Sequence, residues 1–183
     1  MPRQILLFDP PLRFVSGTVG QPGDRTFYLQ ASGQGRVVSV ALEKVQVQVL
    51  AERLTELLDE VQRRLDVTLP PAPGGVDDVG PLQVPVEEEF RVGSMGLAFD
   101  AETHAVIVEA HAQTEEEIDT PEPMSEDTEG PDVLRVRLSP ESTRAFVSRA
   151  ERVVAAGRPP CPLCELPLDP AGHICPRQNG YRR

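Results

Sequence analysis

Either side of a segment dense in proline and glycine, this chain lays out the same order of elements, and that repetition limits what it can fold into. The first half reads Phe14-Val-Ser-Gly17-Thr-Val-Gly20, then Thr26-Phe-Tyr-Leu-Gln-Ala31, then Arg36-Val-Val-Ser-Val-Ala-Leu42. The second reads Phe90-Arg-Val-Gly93-Ser-Met-Gly96, then Ala105-Val-Ile-Val-Glu-Ala110, then Asp132-Val-Leu-Arg-Val-Arg-Leu138. Alternation of apolar and polar residues marks strands with one face on a core. A helical pattern follows the third run of each half. Leu50, Leu54, Leu57, Leu58, Val61 and Leu65 form one stripe, with Glu52, Arg53, Glu56, Asp59 and Glu60 opposite. Shifted by 96 positions, Leu50, Leu54, Leu57 and Leu58 fall on Phe146, Ala150, Val153 and Val154. The expected class is α+β, with duplicated βββα units and antiparallel sheets.

The second helix has a marked start. Ser139 is placed to cap it, Pro140 suits the first turn, and Glu141 meets the positive end of the helix dipole. Gly157 suits its end. The start of the first helix is ambiguous, because Val45, Val47 and Val49 alternate like a strand. The glycines at 17, 20, 93 and 96 lie between strand-like runs with no helix N-terminus beside them. They read as bulges or tight bends and not as a phosphate cradle.

Two segments break the pattern. Residues 65–86 hold Pro70, Pro71, Pro73, Pro81 and Pro85 with Gly74, Gly75 and Gly80, which reads as a linker. Residues 113–131 read as an acidic insertion. The window 114–132 holds nine acids and no base. Mutual repulsion there predicts a mobile loop, dispensable for folding. The expected division is 1–64 and 87–157 for the two halves, 65–86 for the linker, and 158–183 for a terminal module.

The net charge of −11 belongs mostly to that loop; without its nine acids, 18 bases face 20 acids, a balance of −2. The net charge therefore looks like an argument against nucleic acid but is concentrated in one loop, and the folded part is nearly neutral. No stretch approaches the ~20 apolar residues of a membrane span. The basic-then-apolar layout of a secretory signal is also missing at the start. The expected compartment is the cytoplasm.

All three cysteines fall in the terminal module, as Cys161-Pro-Leu-Cys164 followed by His173-Ile-Cys175. Three thiolates and one imidazole close a tetrahedron around Zn²⁺ with no position left for water, so the site reads as structural and not catalytic. A turn at Asp169-Pro170-Ala171-Gly172 is expected to bring the second pair back to the first. The full expectation is thus α+β with duplicated βββα units and a small C-terminal zinc knuckle, whose ligands are Cys161, Cys164, His173 and Cys175.

Several runs also resemble a known family. Phe8-Asp9-Pro10 with Phe14-Val15-Ser16-Gly17-Thr18-Val19-Gly20, the Arg25–Ala31 and Val37–Lys44 runs, and Glu89-Phe-Arg-Val-Gly93 share its pattern. So does the ending with Cys-Pro-Leu-Cys, Gly-His-Ile-Cys-Pro-Arg and Asn-Gly-Tyr-Arg-Arg183. The chain resembles the actinobacterial domain-of-unknown-function 3090 family over nearly its whole length. The resemblance implies no activity. It implies genomic neighbours similar to histidine phosphatases and phosphoinositide kinases, an association that hints at a shared pathway and not at chemistry.

Other candidates are weaker. Arg158, Arg177, Arg182, Arg183 and Tyr181 surround the knuckle and suit single-stranded nucleic acid, as zinc knuckles do, but four arginines are few. Glu109 and His111 share one strand face near His104, without a nucleophile or a third orienting group; they are expected to face solvent. Glu87, Glu88 and Glu89 read as a solvated strand edge. The function expected first is a non-enzymatic zinc-containing adaptor docking a protein partner. The alternatives are an enzyme or enzyme subunit acting on a phosphorylated small molecule, and a nucleic-acid-binding regulator.

Overall fold

The six anticipated strands form, and a seventh joins them. The computed structural model describes residues 2–71, 77–115, 124–168 and 172–177. Its elements are β1 (Ile5–Phe8), β2 (Arg13–Gln21), β3 (Asp24–Gly33), β4 (Arg36–Leu42), α1 (Lys44–Leu65), β5 (Glu88–Asp100), β6 (Ala105–Ala112), β7 (Val133–Leu138) and α2 (Pro140–Ala155). After β1, the order βββα occurs twice.

The strands make one sheet in the order β1-β7-β6-β5-β4-β3-β2. The antiparallel expectation holds within each half and fails at the joins. β4 pairs in parallel with β5, and β7 pairs in parallel with β1. The cause is connectivity: α1 crosses over one face of the sheet before the chain returns as β5, so the two strands point the same way. The sheet is therefore mixed. It also curls. Only four residues separate β1 from β2 at opposite ends of the strand order, and Phe8 to Arg13 can span at most ~18 Å. Seven strands laid flat would be about 29 Å across. Contacts across the ends confirm the curl: Arg36 of β4 donates from Nη2 to Leu7 O of β1 at 2.5 Å, and its guanidinium lies 4.6 Å over the Phe8 ring.

Both helices pack on one face. Phe27, Leu29 and Ala31 of β3, Val106, Val108 and Ala110 of β6, and Leu134 and Val136 of β7 meet Leu50, Leu54, Leu58 and Phe146 there. Phe14 stacks on Phe146 with centroids 4.7 Å apart. The ambiguous start of α1 resolves as helix from Lys44, because Val47 joins Leu50, Ala51 and Leu54 in the core while Val45 and Val49 are exposed.

The opposite face is covered by the two irregular segments, and here the sequence reading needs correction. Neither described part hangs free. Residues 77–86 wrap past edge strand β2. Asp78 takes Arg13 at 2.6 Å and Arg149 at 3.1 Å, and Leu82 packs where a side chain at Gly17 would have to go. The Gln30 side chain then exchanges two hydrogen bonds with the Gln83 backbone, at 2.8 and 3.0 Å. In the acidic segment, residues 124–131 form a strap over β6 and β7. Arg3 reaches Thr128 O through its backbone N–H (2.9 Å) and Pro131 O through Nε (3.1 Å), while Arg135 Nη2 donates to Ser125 O at 2.7 Å. The acids at 116–123 lie outside the described residues.

Candidate metal centre

The knuckle begins where α2 can no longer continue. Ala156 caps the helix with its N–H on Arg152 O, and Pro159 and Pro160 follow. A short hairpin then forms: Cys161 N–H donates to Leu166 O (2.8 Å), Glu165 N–H to Cys161 O (2.8 Å) and Leu168 N–H to Pro159 O (2.9 Å). Its turn holds Cys161 and Cys164 on one side. The second arm returns with His173 and Cys175; the expected turn at 169–171 lies outside the described residues.

The four donor atoms all lie within 4.8 Å of one another. Cys161 and Cys175 sulfurs are 3.9 Å apart, and Cys164 Sγ is 3.3 Å from His173 Nε2. A zinc tetrahedron with bonds near 2.3 Å to sulfur and 2.0–2.1 Å to nitrogen has edges of about 3.8 Å and 3.6 Å. These two spacings are close to those edges, and 3.9 Å is far beyond a disulfide bond of about 2.05 Å. The backbone amides of Leu163 and Cys164 donate toward Cys161, holding its thiol down to about 6. Burial pushes the Cys164 thiol up. Metal binding would offset that, because a bound cation favours the thiolate. Cys161 and Cys175 are buried, and Cys164 and His173 are half-buried. The cluster can hold a metal such as zinc, with every tetrahedral position supplied by the protein.

A family profile described as "protein of unknown function (DUF3090)" matches residues 6–175. The chain belongs to the DUF3090 family. No curated protein and no solved structure matches it. The matched span of this DUF3090 chain ends on Cys175 and so includes all four donors of the cluster.

The other candidates separate. His104 sits in the β5–β6 turn, exposed, with φ of 52° and its ring 6.2 Å from Phe99. Glu109 and His111 do share a strand face, but that face lies under the strap, and both side chains are fully buried. The expectation of solvent exposure is overturned. Glu109 Oε1 accepts from Arg135 Nε (2.5 Å) and Met124 N–H (3.0 Å). His111 Nε2 lies 3.2 Å from Glu109 Oε2, aligned too poorly for a hydrogen bond. Burial acts to raise the Glu109 pKa; the His111 ring, the Met124 amide and Arg135 outweigh it and hold the carboxyl at about 2. Glu87, Glu88 and Glu89 are exposed as expected. Gly93 marks a bulge in β5, where a Cβ would meet the Gln113 backbone at 2.9 Å. Tyr181, Arg182 and Arg183 lie outside the described residues. Sequence reasoning missed Arg137, which joins Asp9, Asp100 and Thr103 from three separate turns or strand ends; only the strand order brings these together.

Proposed function

We propose that this chain is a non-enzymatic adaptor whose α+β body carries a C-terminal zinc knuckle that docks a protein partner. The observation that supports it most is the complete Cys3His set. With four protein ligands, Zn²⁺ has no position for substrate or water, so the metal's work is to fold the segment. Structural zinc contributes about 10 kcal/mol or more to such modules in finger peptides. Thiolates kept for metal suit a reducing cytoplasm. Beyond the ligands, Leu163, Leu166 and Ile174 are 45, 50 and 84 % exposed. Three large aliphatics on so short a module give an apolar contact for a partner.

The enzymatic alternative draws less support, because His104 stands apart from the buried Glu109 and His111. The nucleic-acid alternative rests on Arg158, Arg177, Arg182, Arg183 and Tyr181; of these only Arg158 and Arg177 fall among the described residues, and Arg158 is half-buried. One experiment separates these readings. The tagged chain is used to capture partners from its native cells, and direct binding is then repeated with purified components. The adaptor reading expects a protein that binds the wild-type chain directly, resists nuclease treatment, and is lost on Leu163→Asp with Ile174→Asp while zinc content is unchanged. Binding that survives that double substitution, or that nuclease abolishes, overturns it.

A further inference from the structure

The knuckle has no apolar core of its own. Among its described residues from Arg158 to Arg177, only Cys161 and Cys175 are buried, while Leu163, Leu166 and Ile174 stay exposed. The ligand cluster takes the place of a core, and it also joins the two arms. The backbone hydrogen bonds described in the module all lie within 159–168, on the first arm. The second arm, 172–177, meets the first where Cys175 Sγ lies 3.9 Å from Cys161 Sγ and His173 Nε2 lies 3.3 Å from Cys164 Sγ. What fixes Ile174 relative to Leu163 and Leu166 is therefore the ligand set.

The three thiols differ in access. Cys161 and Cys175 are buried, whereas Cys164 is half-buried at the turn of the hairpin. They are the only cysteines of the chain, and all three are free. Metal ligation requires the thiolate, which is also the form that peroxides oxidise. One disulfide among the three leaves Zn²⁺ a single thiolate and one imidazole, half of its tetrahedral set. Cys161 is placed to form that disulfide with Cys164, because the same turn, closed by Glu165 N–H on Cys161 O at 2.8 Å, carries both.

We propose that the knuckle is a peroxide-sensitive switch on the docking face, entered at Cys164. The inference rests on the reading of the knuckle as a zinc-held docking module. The Cys164 thiolate attacks hydrogen peroxide: an S–O bond forms, the O–O bond breaks and hydroxide leaves, giving a sulfenic acid. The Cys161 thiolate then attacks that sulfur; an S–S bond forms, the S–O bond breaks and a second hydroxide leaves. Each sulfur gives up one electron, and the peroxide takes both. This disulfide closes within the first arm, so the second arm is released with Zn²⁺, and Ile174 parts from Leu163 and Leu166. Reduction by a dithiol reverses the step and restores the ligands.

The test treats the ¹⁵N-labelled, zinc-loaded full chain with hydrogen peroxide. Zinc release is followed with a coloured chelator, the sulfenic acid by dimedone capture, the disulfide by peptide mass spectrometry and the fold by NMR. About one Zn²⁺ per chain is expected to leave as two thiols disappear. Dimedone should label Cys164 first, and the disulfide should join Cys161 to Cys164. Amide signals of residues 172–177 should move to random-coil positions while those of the sheet stay in place. Dithiothreitol with added zinc should restore the starting spectrum. Zinc that stays bound in excess peroxide, first labelling at Cys161 or Cys175, a disulfide that includes Cys175, or sulfinic acid without any disulfide overturns the proposal. A chain that carries no zinc and takes none up would instead overturn the metal reading, and this inference with it.

Discussion

Glu109 is a carboxylate with no exposed surface, held by one guanidinium and one backbone amide, and its environment decides what removing it would do. Its partner Arg135 is itself buried, and Glu109→Gln removes its one buried counter-charge, leaving only the largely exposed Glu126 of the strap at 2.8 Å. Breaking a buried pair in this way costs about 3 kcal/mol or more. Urea unfolding at neutral pH should show a loss of that size; a loss below 1 kcal/mol would mean that water reaches the pair. The pH dependence follows from the same pair. A carboxyl held at about 2 when folded and near 4.5 when unfolded stabilises the fold fully above the unfolded value. That contribution drains away as pH falls from about 4.5 to about 2. Glu109→Gln should remove this part of the acid transition, leaving the part due to Asp78, whose carboxyl Arg13 also holds at about 2. The spacing of Glu109 and His111 told that they share a face. Which face could not be read, because the groups that cover it come from Arg3 and the strap, distant in sequence.

At the scale of elements, legibility tracks how local the determining contacts are. Ser139 accepts from Ser142 N–H at 3.1 Å with Pro140 at the first turn, as the sequence alone suggested. The metal ligands are equally local, lying within fifteen residues of chain from Cys161 to Cys175. The strap is the opposite case. Its acids predict repulsion, but Arg3 and Arg135 neutralise and bind its described part, and Arg3 lies more than 120 residues away. Replacing residues 115–130 with a short Gly/Ser turn should therefore lower the melting temperature by about 10 °C, as expected for the loss of about 3 kcal/mol in a chain of this size. An unchanged melting temperature would restore the view that the loop is dispensable. The knuckle should behave as a separate unit. Protein purified without added zinc is expected to carry about one Zn²⁺ per chain, with metal–sulfur distances of about 2.3 Å by X-ray absorption. Cys164→Ser should abolish the metal and collapse the amide signals of residues 158–177, while those of the sheet stay in place. Loss of the sheet signals would show that the body depends on the metal.

At the scale of the whole molecule, the two βββα runs are arranged so that each begins its sheet where the previous one stops. β4 and β5 lie in parallel at the join, with α1 crossing between them, and β7 and β1 repeat that parallel pairing at the far end. β1 thus occupies the place that the first strand of a third unit would hold. The sequence repeat predicted two like halves but could not show this, because β1 has only four residues and its partner is set by the curl of the sheet. If the two joins are equivalent, the chain can be reconnected through the second as it is through the first. A circular permutant opened between residues 71 and 77, with the knuckle removed and Gly157 linked to Pro2 by about 20 Gly/Ser residues so that Arg3 and Gln4 keep their contacts with the strap and β7, would make α2 the crossover from β7 to β1. The linker matches the length of the natural return from α1 to β5, and longer closure costs only about 0.6 kcal/mol per doubling. The opening leaves residues 77–86 attached to β5, so Asp78, Leu82 and Gln83 keep their contacts. The permutant should unfold cooperatively with a native-like circular dichroism spectrum and a melting temperature within about 10 °C of the knuckle-deleted parent. A permutant that is soluble but lacks a cooperative transition would show that β1 is a specialised edge strand, and that the parallel pairing at the two joins is not equivalent.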